Sequence, residues 1–99
     1  NLKRSGVKLN PPENLIANLN RDTEEVFLDW DKVNEADEYT IWYKKPGDKW
    51  SFLSKVYGDK TQFSTKLPEK NVIYLYSVTT KKSEGPDSDY SDSASVVHS

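Results

Sequence analysis

The chain has 99 residues, 34% of them apolar and 30% charged, and a formal net charge of −2. That length makes one domain, and an apolar share below the globular norm of about 45–50% makes it a small one with much surface. With no Cys and a single His, at position 98, the chain lacks the means for disulfides, a thiol nucleophile, a Cys-ligated zinc or a Ser-His-Asp triad. The 12% aromatic content points to a packed core rather than disorder. No apolar run approaches a membrane span, and the slightly acidic balance argues against a nucleic-acid backbone as partner. The absence of Met is expected of a module cut from a longer chain.

Residues 1–10 have no clear period and run into Pro11-Pro12, so they are expected to form a linker or edge segment ahead of a domain over 11–99. From there the pattern is period two, which is that of strands. The strongest segments are 24–31, with Val26, Leu28 and Trp30 on one face, 38–45, with Tyr39, Ile41 and Tyr43, and 72–80, with Tyr74, Tyr76 and Val78. Weaker strands fit 14–18, 50–57, 61–66 and 92–97. Over 49–57, Trp50-Phe52-Val56 and Leu53-Tyr57 compete for the inner face, and alternation does not choose between them. Turn residues separate the segments, among them Asn20-Arg21-Asp22, Pro46-Gly47-Asp48, Gly58-Asp59 and Gly85-Pro86-Asp87. The Ser/Asp-rich stretch Ser83 to Ser95 is expected to be a loop feeding the last strand. Seven short strands with one wet face predict an all-β antiparallel sandwich or barrel.

Taken in order, these residues resemble the fibronectin type III domain over about residues 11–97. Pro12, Leu15 and Ala17 resemble its opening strand, and Val26 to Trp30 its second. The run from Tyr39 through Pro46-Gly47 to Trp50 is similar to its third strand, turn and following Trp. Leu67-Pro68 and then Tyr74-Leu-Tyr76-Ser-Val78 resemble its corner Leu and tyrosine-corner strand, and Ser91, Ala94 and Val96 its last strand. One departure stands out: Leu67 and Tyr74 are seven residues apart where the usual pattern has six. The resemblance implies an immunoglobulin-like Greek-key sandwich with a three-stranded sheet on a four-stranded one, and no catalytic activity. It implies a core of Trp30, Tyr39, Ile41, Tyr43, Leu67, Tyr74, Tyr76 and Val78, with the Tyr74 hydroxyl bonded to the backbone near Leu67.

Trp42 is out of phase with Tyr39, Ile41 and Tyr43, so it is expected on the outer face of its sheet with Leu75 and Ser77 nearby and Trp50 across the turn. Trp42, Trp50 and Leu75 are therefore the candidate binding surface, since an exposed indole stacks on a sugar or anchors a protein. The ordinary alternative is that Trp42 covers Leu75 and packs under the stem of Lys44. Phe27 is expected outward on the second strand and needs no partner to explain it. Asp87, Asp89 and Asp92 fail the EF-hand template, because its glycine position holds Asp92 and its bidentate acid position His98. Asp29 and Asp31 share an open face with no pocket for acid–base work. Lys44, Lys45 and Lys49, and Lys81-Lys82, sit among acids and form a solvated rim. The loop over 82–90 lacks an Arg-Gly-Asp sequence, and there is no Asn-x-Ser/Thr acceptor.

The expectation is a non-catalytic spacer or scaffolding module of a multimodular extracellular protein, of the kind found in secreted bacterial glycoside hydrolases and in animal receptors. It would be a monomer without cofactor or metal, would not enter a membrane, and its partners would be neighbouring domains of the same chain. The alternative is a carbohydrate- or protein-binding module using the outward aromatic surface around Trp42. An enzyme is the third possibility, with no constellation to support it.

Overall fold

The computed structural model describes residues 8–82 and 84–98. Seven strands form: β1 (Ile16–Asn20), β2 (Glu25–Asp29), β3 (Glu38–Lys44), β4 (Ser51–Tyr57), β5 (Gln62–Lys66), β6 (Tyr74–Lys81) and β7 (Ala94–Val96). One sheet has the order β1-β2-β5 and the other β4-β3-β6-β7, every pair antiparallel. The chain is an all-β sandwich of three strands on four, with no helix among the described residues.

Alternation decides which side chains meet between the sheets. Val26 and Leu28 of β2 and Trp30 just beyond it are buried against Tyr39 and Ile41 of β3 and Tyr74, Tyr76 and Val78 of β6. Trp30 and Tyr39 hold the two sheets together, their rings tilted at 55° with centroids 5.5 Å apart. The Tyr39 hydroxyl accepts the Val33 N–H at 2.9 Å, so its polar end is satisfied at the edge of the core. Leu67 closes the core, while Tyr43 packs against it half-buried.

Three details differ from the sequence pattern. First, β1 begins at Ile16 rather than residue 14, because Asn14 takes φ +59° and donates its side-chain amide to Asp31 Oδ2 at 2.7 Å. Second, a bulge lies opposite Ile41 and Trp42: Ile41 faces Ser54 but Trp42 faces Phe52, so Leu53 is the extra residue. The bulge resets the phase of β4. Leu53 and Val56 both pack on the core while Phe52 and Tyr57 are exposed, so neither alternating set holds throughout.

Third, the Tyr74 hydroxyl does not return to the backbone near Leu67. It donates to Glu69 Oε2 at 2.6 Å. The Leu67 N–H is taken by the Glu24 carbonyl at 2.8 Å, and Pro68 has no N–H to offer. The longer Leu67–Tyr74 connection instead brings a carboxylate within reach, which makes a charge-assisted bond.

The stretch before β7 is stitched to β6 by serines. Val78 N–H donates to Ser91 Oγ at 3.0 Å and Thr80 N–H to Ser88 Oγ at 2.9 Å. Ser88 N–H and Ser91 N–H in turn reach the carbonyls of Thr80 and Val78. These hydroxyls stand where a regular ladder has carbonyls, so an irregular segment leaves the β6 backbone satisfied. Ser83 of the expected loop lies outside the described residues, as do residues 1–7 of the expected linker. Of the rest of that linker, the Asn10 carbonyl accepts from Thr80 Oγ1 at 2.9 Å and Lys8 pairs with Asp89 at 2.9 Å.

Candidate functional site

The outward face of β4-β3-β6 carries Trp42 between Phe52 on one side and Ser77 on the other. Its ring meets Phe52 edge-to-face at 6.1 Å and Tyr90 edge-to-face at 5.5 Å. The indole Nε1 donates to Thr79 Oγ1 at 3.0 Å. Trp50 stacks on Tyr90, with centroids 5.5 Å apart and planes at 23°. Lys44 Nζ lies 5.1 Å from the Trp50 centroid, in cation–π range. The Lys44 ammonium is thus placed at Trp50.

Trp42 and Trp50 are brought into one cluster, bridged by Tyr90. Leu75 stands on the same face but opposite Lys44 and Ser95, one step along β6 from Ser77. Tyr90 and Phe52 are the members that sequence reasoning missed. The signal for Tyr90 was an aromatic residue in an otherwise Ser/Asp-rich stretch, and the bulge in β4 hid Phe52.

The cluster has a structural consequence. Ser77 and Thr79 point to the outer face yet are buried, at 0% and 2% exposure. Half-buried Trp42 covers small polar side chains there that bond to one another, and Tyr90 joins it to Trp50. Ser77 Oγ donates to the Ser91 carbonyl at 3.0 Å, and Thr79 accepts from Trp42. Phe52 and Tyr90 form the exposed rim.

Elsewhere the acidic and basic candidates are dispersed. Asp31 accepts from Asn14, Asp89 pairs with Lys8, and no group of His, Cys, Asp or Glu among the described residues is arranged to hold a metal ion. Lys45 lies 3.9 Å from Glu69. Lys82 meets Glu35 at 2.7 Å, which lowers the Glu35 carboxyl and raises the Lys82 ammonium. The Tyr74 phenol is pushed up to about 12 by its bond to the Glu69 carboxylate and then by burial, and burial pushes Tyr76 up to about 12. Raised phenols of this kind are neutral at ordinary pH and hold structure rather than react.

No protein-family model and no curated protein matches the chain. Solved structures do. An Fn3-like protein from Clostridium thermocellum is 19% identical with a TM-score of 0.77, covering 94% of this chain and 96% of that one. A β-1,2-glucanase from Parabacteroides distasonis is 19% identical with a TM-score of 0.79, covering 95% of this chain but only 13% of the glucanase. A structure of titin kinase and its flanking domains is 12% identical with a TM-score of 0.76, covering 92% of this chain and 17% of that one. The likeness is one of fold, and the fold is that of the fibronectin type III domain.

Proposed function

We propose that this fibronectin type III fold serves as a non-catalytic spacer or scaffolding module in a multimodular extracellular protein, setting the distance and orientation of its neighbours. The observation that carries this reading is where the two flanks of the described sandwich meet β6. Asn10 is bonded at Thr80, near one end of the strand, while Val96 of β7 pairs with Tyr74 at the other. Six residues of extended chain, at about 3.3 Å each, separate these points by about 20 Å. Both flanks are fastened among the described residues: the first by the Asn10–Thr80 bond, the second by Asn71 N–H donating to the His98 carbonyl at 2.8 Å.

The glucanase and titin structures, in which the same fold is a small part of a longer chain, support a modular role. The aromatic cluster supports a structural cover over a stacking platform, because the Trp42 and Trp50 rings are engaged by Phe52, Tyr90 and Lys44. A non-catalytic role fits the dispersed acids and the raised phenols of Tyr74, bonded to Glu69, and of buried Tyr76. The extracellular setting rests on the resemblance to modules of secreted hydrolases, and protease digestion of intact source cells tests it.

The direct test fuses a folded fluorescent reporter to each end and measures energy transfer. A spacer holds one transfer efficiency in all native conditions and loses it only at the denaturation midpoint. Efficiency that matches a Gly/Ser linker of equal length removes the spacer reading.

A further inference from the structure

The outward face of the three-stranded sheet is built on a different plan from the aromatic cover. Its register sets rows across β1, β2 and β5: Asn20–Glu25–Lys66, then Asn18–Phe27–Ser64, then Ile16–Asp29–Gln62. Phe27 stands at the centre of this grid, 45% exposed, and takes part in none of the ring pairs among the described residues. A groove of about 760 Å³ lies over it, lined by Phe27, Asn18, Asp29, Gln62, Ser64 and Lys60. Phe63 and Val56 reach the same groove from the opening between β5 and β4.

The polar side chains of this lining have unused bonding capacity. Among the described residues, Asn18, Asp29, Lys60, Gln62 and Ser64 make no side-chain hydrogen bond or ion pair. Nearby polar residues are tied down: Asn14 to Asp31, Asn20 to the N–H groups of Asp22 and Thr23, and Lys66 to the Thr23 carbonyl.

We infer that this groove binds a neutral oligosaccharide. The size falls within the range of ligand clefts, about 300–1,000 Å³. Two amides and a hydroxyl supply both donors and acceptors, which is what sugar hydroxyls need. The Phe27 ring supplies an apolar surface for the C–H face of a pyranose. Asp29 and Lys60 balance each other, so a charged ligand gains nothing from the lining as a whole, while a neutral one uses both as hydrogen-bonding groups. An extended peptide added at the free β5 edge would bond to β5 backbone and leave Asn18, two strands away, without a role. The groove runs from Phe27 to the β5 edge, and none of Asn10, Thr80, Asn71 and His98 lines it, so its occupation leaves the bonds that fasten both flanks of the sandwich as they are.

The test is a titration of the isotope-labelled full chain, followed by amide NMR, with cellohexaose, xylohexaose, laminarihexaose and mannohexaose, and with hexagalacturonate as the charged probe. The expected result is a saturable response to at least one neutral hexaose, confined to Asn18, Phe27, Asp29, Gln62 and Ser64 and including the side-chain amides of Asn18 and Gln62. Phe27→Ala and Gln62→Ala should each weaken it about tenfold or more, with unchanged spectra elsewhere reporting an intact fold. Trp42→Ala should leave it in place. No saturable response to any neutral hexaose overturns the inference. So does a response centred on the Trp42 and Trp50 indoles, or binding of hexagalacturonate in the groove as tightly as the best neutral probe.

Discussion

The hydroxyl of Tyr74 and the carboxylate of Glu69 lie 2.6 Å apart, although Tyr74 is a core residue and Glu69 a surface one. This bond holds the Tyr74 phenol up to about 12, against about 10 in an unfolded chain. Between those values the unfolded state has lost its proton and the folded state has kept it, so stability falls as pH rises. The contribution is complete below about pH 10 and lost as pH passes about 12. Tyr76, raised by burial, acts in the same direction. Glu69→Gln should lower the Tyr74 titration and flatten the loss of stability in that window. Ring NMR titration and urea midpoints across pH 9 to 12 check both outcomes. Because the acceptor is half-exposed, Tyr74→Phe should cost about 1 kcal/mol or less at pH 7.

Trp30 is the largest side chain between the sheets, 3% exposed and tilted onto Tyr39. Trp30→Ala should cost about 3–5 kcal/mol, a large part of the total for a domain with no disulfide. Urea unfolding checks it; a loss under about 1 kcal/mol would mean that the core does not depend on this ring.

Ser91 Oγ accepts the buried Val78 N–H and lies 3.1 Å from Ser77 Oγ. Ser91→Ala leaves that N–H without its acceptor, at a cost of about 1–3 kcal/mol. Ser95, exposed on the neighbouring strand, serves as control, and Ser95→Ala should have no measurable effect. Amide exchange at Val78 should quicken in the first variant and hold in the second.

Trp42 joins Phe52 and Tyr90 edge-on, and such pairs contribute about 0.5–1.5 kcal/mol each. Trp42→Ala should therefore destabilise by about 1–3 kcal/mol and alter Trp50 emission, since Tyr90 loses its support. A purely ligand-facing Trp42 would leave stability and Trp50 emission unchanged.

Sequence pattern made the sandwich legible because its signals are local. Alternation around Val26, Leu28, Tyr39, Ile41, Tyr76 and Val78 survives in the structure, since each of these strands keeps one side toward the core. The bulge was not legible: one extra residue at Leu53 changes which side Phe52 and Val56 take, and only the register with β3 reveals it. Nor was the Tyr74–Glu69 bond, which depends on where a seven-residue connection places a carboxylate. Phase puts Trp42 on the outer face, but Tyr90 meets it from a segment whose serines replace the usual ladder, and no period marks that arrangement.

The most direct test of the spacer role is the distance between the two flanks of the sandwich, at Asn10 and Val97, in the native protein. Because the chain has no Cys, Asn10→Cys with Val97→Cys places a pair of spin labels at the two fastened flanks without further change, and pulsed electron resonance reads their separation. A spacer gives one narrow distance distribution, unchanged when a folded domain is fused to either end. A broad distribution, or one that shifts with the fused partner, would contradict it.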